Sequence, residues 1–119
     1  MANPNIVEVT SIYGKTAVLL PTTTASDIIV NSAGSGKIYK VNFLTVANVN
    51  ATAAADITAS IYRGAVEYKL ASTISVPADA SLILISKDTS IYLEEGDSLR
   101  LTASINSYLS AVSGYEIIG

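Results

Sequence analysis

The chain contains 119 residues, of which 50% are hydrophobic and only 14% are charged, and its formal net charge is -3. This length predicts a single domain spanning residues 1–119. The absence of cysteine excludes disulfides and thiolate metal sites. The basic residues are scattered, and because no Lys/Arg run can follow a phosphate backbone, we expect no nucleic-acid partner.

The low share of charged residues predicts that part of the protein surface is covered in the working state. Small soluble domains normally carry more polar surface, so contacts with other copies of the chain or with a larger assembly are favoured. The alternative is an aliphatic-rich sandwich that stays monomeric. The N-terminal residues show no signal-peptide pattern, and the longest apolar run, 82–85, is too short for a membrane span. We therefore expect no membrane partner.

From its start the chain alternates short β-type segments with turn residues. Residues 6–13 and 17–20 are predicted strands that flank a turn at 13–16. The later segments are 28–30, 37–46, 56–63, 66–76, 81–86, 99–105 and 108–118, with 91–93 as a strand end, which makes about eight or nine strands in all. The apolar face switches after Phe43, which indicates a bulge or bend in that strand. Residues 48–55 lack an amphipathic repeat and are predicted as loop, so no significant helix is expected.

Strands at this spacing, separated by turn residues, predict an all-β fold. We interpret the pattern as an antiparallel two-sheet β-sandwich. Jelly-roll wiring is the first expectation and an immunoglobulin-like arrangement is the alternative, because periodicity identifies strands but not their order in the sheets.

The clearest strand register follows the acidic residues 94–97. Leu99, Leu101, Ala103 and Ile105 alternate with polar residues, which is typical of a strand buried on one face. We predict a hairpin between 91–93 and this strand, with Gly96 at positive φ and the loop carboxylates kept in water. A weak calcium contact of these carboxylates is the minor alternative.

No catalytic constellation is present in the sequence. Because the chain has no histidine, no imidazole can serve as general base for its serine and threonine hydroxyls. The acidic residues outside the loop are spread singly, as on a solvated rim, so no carboxylate pair suggests glycoside hydrolysis. We therefore expect a non-enzymatic protein without a cofactor or metal.

The segment 81–86, SLILIS, is the main candidate interface. Strict alternation predicts that Leu82 and Leu84 face one way while Ile83 and Ile85 face the other, so both faces of this strand are apolar. A partner subunit is the expected cover, and a homotrimer is the first guess for the oligomer. The alternative is that the N-terminal strand or the strand 108–118 of the same chain covers the second face.

Two further features are candidates for contacts with other molecules. The apolar C-terminal pair Ile117 and Ile118 extends the predicted interface. Tyr62 is the best candidate for an exposed aromatic side chain, since Ile57, Ala59 and Ile61 claim the opposite face of its strand. A tyrosine can stack on a sugar, although on a β face it more often fills the rim of a core.

The chain as a whole resembles a family of small virion structural proteins of tailed bacteriophages, especially phages of cyanobacteria. The segments that carry the resemblance are NPNIVEVTSIYGKTAV (3–18), GKIYKVNFLTVANVN (36–50), DITASIYRG (56–64) and the run 72–104. Its most specific parts are VPADA (76–80) and YLEEGDSLRLTAS (92–104).

This resemblance implies a non-enzymatic β-sandwich located in the virion and made in the host cytoplasm. The first function that it implies is a head decoration or cement protein that bridges subunits of the major capsid protein. The second is a neck, tail, baseplate or fibre-associated accessory, which could contact host glycan through Tyr62. A carbohydrate-binding sandwich unrelated to phages is a third alternative.

The strand register at Leu101 can be tested by paired substitutions. We expect Leu101→Asp to prevent folding, because an unpaired buried carboxylate costs several kcal/mol against a total stability of about 5–15 kcal/mol. Arg100→Ser, on the opposite face, should be nearly silent. Circular dichroism and thermal unfolding of both variants check this, and the reverse outcome would mean that the register is inverted.

Overall fold

The structure is a computed structural model that describes residues 3–119. Within these residues the chain forms nine strands and one short 3₁₀ helix, and no helix is long and apolar enough to span a membrane. The strands are β1 (Ile12–Leu19), β2 (Ser26–Val30), β3 (Ile38–Asn48), β4 (Ala55–Arg63), β5 (Val66–Val76), β6 (Ser81–Ile85), β7 (Ile91–Leu93), β8 (Ser98–Ala103) and β9 (Leu109–Ile118).

The strands form two antiparallel sheets that pack face to face. The first sheet has the order β1-β9-β3-β6, with β7 also paired to β3, and the second has the order β2-β8-β4-β5. Each pair joins an early strand to a late one: β1 to β9, β2 to β8, β3 to β6 and β7, and β4 to β5. This is one long hairpin rolled into a sandwich, so the predicted jelly roll is confirmed over the immunoglobulin-like alternative.

The strands β6 and β7 form one interrupted edge of the first sheet. β6 pairs with the second half of β3 and β7 pairs with its first half. Between them lies the 3₁₀ helix Lys87–Thr89, where the amide of Ser86 donates to Thr89 Oγ1 at 3.0 Å. A register shift in β3 between Val41 and Phe43 against β9 confirms the predicted bulge.

The predicted N-terminal strands and turn are wrong. A single strand covers Ile12–Leu19, and its register against β9 runs unbroken through Gly14, so residues 13–16 are not a turn. Residues 3–10 form no strand. Gly14 has no positive φ, so it does not form the predicted turn. Glycine is tolerated in an edge strand because it lowers stability through the entropy of the unfolded chain but leaves the strand pairing intact.

The core lies between the inner faces of the two sheets, and β8 supplies its centre. Leu99, Leu101 and Ala103 are buried, which confirms the register predicted for these residues. The prediction is wrong for Ile105, because β8 ends at Ala103 and Ile105 is exposed in the bend that follows. The predicted hairpin to residues 91–93 is also wrong, because β7 belongs to the first sheet and β8 to the second. Residues 94–97 therefore cross between the sheets. Gly96 has the expected positive φ of 87°, which suits an arch between sheets as well as a hairpin, and local sequence does not distinguish the two.

Two buried asparagines tie the sheets together at opposite ends of the sandwich. Asn31 follows β2, and its Nδ2 donates to the carbonyls of Lys37 and Leu93, both at 2.9 Å. Asn48 ends β3, and its Nδ2 donates to the carbonyls of Ala53 and Val76, also at 2.9 Å. Within residues 3–119 every buried side-chain nitrogen and oxygen has a hydrogen-bond partner.

The β4–β5 hairpin gives a stability prediction. Gly64 and Ala65 form its two-residue loop, with φ of 58° and 62°, which is the left-handed geometry that favours glycine at the second position. We expect Ala65→Gly to raise the free energy of unfolding by about 1 kcal/mol, because the Cβ penalty is removed. Urea unfolding measures the change.

Ala71→Gly in β5 is the matched control for this substitution. Its φ lies outside the left-handed region, so the same change should cost about 0.5–1 kcal/mol through chain entropy alone. Equal losses of stability in both variants would contradict the assignment of strain to Ala65.

Candidate functional site

The acidic loop Glu94–Asp97 is an ion-paired connection rather than a solvated turn. Asp97 is only 1% exposed, and its carboxylate accepts the Nε–H of Arg63 at 2.7 Å and the amide of Glu94 at 2.8 Å. Glu95 is also buried and accepts the amide of Gly36. The prediction that these carboxylates stay in water is therefore wrong for Glu95 and Asp97.

Arg63 determines the electrostatics of this loop. Its guanidinium contacts Asp97 and the half-exposed Glu94, whose Oε2 lies 3.0 Å from Nη2. The hydrogen bond to Asp97 raises the pKa of Arg63 above its ordinary value, which is already high, so the guanidinium keeps its positive charge. Because Asp97 is satisfied by this cation and by a backbone amide, it is not free to act as a general acid or base. In the part of the chain that the structure describes, no group of three acidic, histidine or cysteine side chains could hold a metal ion.

Tyr62 is half-buried, and one face of its ring is already occupied. The guanidinium of Arg100 lies 3.7 Å from the ring centroid, and its Nε donates to Asp27 at 3.0 Å. The tyrosines with the greatest exposure are instead Tyr13 and Tyr68, both on edge strands. The sequence pattern placed Tyr62 on the correct outer face, but it could not show that a residue from the neighbouring strand covers the ring.

The predicted alternation in 81–86 is confirmed for Leu82, Ile83 and Leu84 but is wrong at Ile85, because β6 contains a bulge. Ile85 pairs with Leu44, but Ile83 pairs with Thr45, so Leu84 is an extra residue on β6. Leu82 and Ile85 both face the core side, and Leu84 is half-buried against the core. Of the four predicted interface residues in this strand, only Ile83 is strongly exposed, at 65%.

The C-terminal pair does not form an exposed apolar patch. Ile118 is buried and lies between its strand partners Ile12 and Ile38, while Ile117 is half-buried and pairs with Tyr13 and Tyr39. The ladder between β1, β9 and β3 thus incorporates both residues into the first sheet.

The outer face of the first sheet carries an apolar surface that the sequence did not predict. A direct cross-strand row runs from Val18 through Val112 and Thr45 to Ile83. Val18 is 73% exposed. In the next row the ring of Phe43 lies over Gly114, where an added Cβ would come within 2.1 Å of Phe43 Cε2. We call these side chains the outer patch: Val18, Phe43, Thr45, Ile83 and Val112.

The outer face of the second sheet has the opposite character. Asp27 and Arg100 form an ion pair across β2 and β8, and Ser60 donates from its hydroxyl to Glu67 at 2.9 Å. Charged and hydroxyl side chains thus satisfy one another along this face. The outer face of the second sheet is therefore polar, whereas that of the first sheet carries the apolar outer patch beside the charged pair Lys40 and Glu116. A signal for the outer patch existed in the aliphatic residues at 18, 83 and 112, but only the pairing of their strands brings them together.

No protein-family model and no curated protein matches the sequence. Among solved structures, the chain is similar to a protein of the Bacillus endospore appendages, described as a novel family of disulfide-linked pili. The TM-score is 0.48 and the sequence identity 17%, and the match covers 91% of this chain and 87% of the other. A likeness at this level bears on neither family nor function.

The ion pair in the acidic loop yields a stability prediction. Arg63→Met leaves the buried Asp97 carboxylate without its cation, so we expect the free energy of unfolding to fall by about 1.5–3 kcal/mol. Guanidinium unfolding of the variant measures the loss.

Arg100→Met serves as the control because it also removes a cation from an ion pair. Its partner Asp27 keeps access to water, so the expected loss is at most about 1 kcal/mol. If both variants lost the same stability, the burial of Asp97 would not be what makes the Arg63 contact important.

Proposed function

We propose that this protein is a non-enzymatic structural component of a tailed-bacteriophage virion. In this proposal it acts as a decoration or cement protein of the head, and the outer patch is its docking surface for the major capsid protein. Contacts with other copies of itself on the particle are part of the same proposal.

The outer patch is the observation that supports this proposal most directly. Val18 and Ile83 are branched aliphatic side chains held in water on a flat sheet. Such side chains gain roughly 1.5–3 kcal/mol each when they are fully buried. The first sheet already uses its other face for the core, so the chain has no element left in residues 12–118 to cover the outer one. We therefore expect the surface of another protein to cover the outer patch.

The polar outer face of the second sheet supports the same orientation. Its ion pair between Asp27 and Arg100 and the hydrogen bond between Ser60 and Glu67 need no partner and remain compatible with water. A domain with an apolar patch on one outer face and a polar second outer face suits attachment as a cap on a larger surface. The jelly roll is also one of the folds found in viral capsid domains, although lectins and cupins share it.

The neck, tail, baseplate or fibre role is the alternative, and it differs in copy number. Quantitative mass spectrometry of purified particles separates the two, because a head lattice takes hundreds of copies whereas a neck or tail ring takes roughly a dozen or fewer. We expect the high number. Absence of the protein from particles would overturn the proposal altogether.

The docking surface is tested by adding charge to it. Val18→Lys/Ile83→Lys should fold as the parent does, because both side chains are exposed, but it should lose binding to particles that lack the protein. The control is Ser75→Lys/Thr102→Lys, which adds the same charge to the second sheet and should bind normally. Unchanged binding of the Val18/Ile83 variant would rule out the outer patch as the contact.

A further inference from the structure

Three of the four sheet edges are irregular. In the second sheet, β2 shifts register between Asp27 and Ile29, and β5 shifts twice against β4 and holds Thr73 at a φ of 48°. In the first sheet, the edge formed by β6 and β7 is broken by the 3₁₀ helix. Bulges and interruptions of this kind prevent an edge from pairing with a strand of another chain.

The fourth edge, β1, has none of these features. Its eight residues pair with β9 without a register shift, from Ile12 opposite Ile118 to Leu19 opposite Ala111. It contains no proline and only one charged residue, Lys15. No strand among residues 3–119 pairs with its other side. Such an edge leaves a row of backbone N–H and C=O groups available for a further strand.

Exposed apolar side chains are concentrated at the same edge. Ile12, Tyr13, Val18 and Leu20 are each more than half exposed, between 54% and 73%. Water-exposed aliphatic and aromatic side chains beside unpaired backbone groups are what a cross-strand partner would cover.

We propose that β1 pairs antiparallel with β1 of a second copy, about a two-fold axis that passes through Thr16 and stands perpendicular to the sheet. The first sheets of the two copies then join into one continuous sheet. The directly opposed pairs are Thr16 with Thr16, Lys15 with Ala17, Gly14 with Val18, Tyr13 with Leu19, and Ile12 with Leu20.

The side chains of β1 complement one another in this register. A small residue stands opposite a larger one at two pairs, where Ala17 faces Lys15 and Gly14 faces Val18. The large exposed side chains at the two ends, Ile12 and Leu20, meet each other. Moving the axis to Lys15 would set two ammonium groups directly opposite, which is destabilising. Moving it to Ala17 would leave Ile12 and Tyr13 without partners. The occupant that best fits this edge is therefore a second copy of the same strand.

This inference goes beyond the proposed function and does not depend on it. The pairing uses the backbone groups of the β1 edge, whereas attachment to a capsid uses the outer face. Val18 belongs to both surfaces, so Ile83→Lys alone tests the attachment separately. A pair of chains joined in this way presents two outer patches on one side of a continuous sheet. Either proposal can fail while the other stands.

Single cysteines can measure the register because the chain has none of its own. With the axis at Thr16, the two copies of that residue lie about 4.5–5.5 Å apart between Cα atoms, within disulfide range. The two copies of residue 15 are offset by two positions and lie about 8 Å apart, beyond that range. We therefore expect Thr16→Cys to give a covalent dimer on mild oxidation. Lys15→Cys and Ala17→Cys, as matched controls, should remain largely uncrosslinked.

Light scattering on the chain without cysteine tests the pairing independently. The parent should show twice the molar mass of one chain, and Thr16→Lys should show the mass of one chain with an unchanged circular dichroism spectrum, because residue 16 is exposed. Ser75→Lys, on the second sheet, should remain a dimer. A monomeric or trimeric parent, a filament seen by electron microscopy, or stronger crosslinking at Lys15 than at Thr16 would overturn the proposal.

Discussion

The jelly roll depends on two buried amides that connect its sheets. Backbone hydrogen bonds hold the strands within each sheet, but between the sheets the core offers only side-chain packing. Asn31 follows a strand of the second sheet and donates to Leu93 in the first, whereas Asn48 lies in the first sheet and donates to Val76 in the second. An asparagine amide has two donors and an acceptor without carrying a charge, so it can bind two carbonyls in a buried site at no cost of charge desolvation. The spacing and alignment of the two sheets are thereby fixed at both ends of the sandwich.

The ion pairs of the described residues lie where the chain crosses between the sheets and on the outer face of the second sheet. Arg63, at the end of β4, reaches the acidic loop that joins β7 to β8, so a cation from the second sheet neutralises a carboxylate buried at the crossover. Arg100 organises the outer face of the second sheet in the same way. The outer patch of the first sheet contains no charged side chain, although Lys40 and Glu116 lie paired farther along the same strands.

Local sequence patterns predicted the features that depend on neighbours along the chain. The alternation of β8, the bulge in β3 and the turn at Gly64 and Ala65 follow from residues within a few positions of one another. The errors occur where a distant residue decides the outcome. Local sequence predicts Asp97 in water, because no residue near it in the chain points to its contact with Arg63. It predicts regular alternation through Ile85, because the bulge at Leu84 is defined only by the pairing of β6 with β3. Of the outer patch, only Ile83 is predicted from local sequence, since the members come from four strands that only the jelly-roll wiring places side by side.

The central position of β9 has a consequence for how the protein reaches this structure. β9 lies between β1 and β3, so the first sheet has a gap at its centre until the last strand is available. The residues that must meet, such as Ile12 and Ile118, are roughly a hundred positions apart, and closing so long a loop precedes any gain from the contacts. Topologies dominated by such distant pairs fold in milliseconds to seconds rather than microseconds. During synthesis on the ribosome, β1 therefore has no partner strand and β3 is paired on one side only until β9 emerges, so the first sheet is completed only after translation of β9.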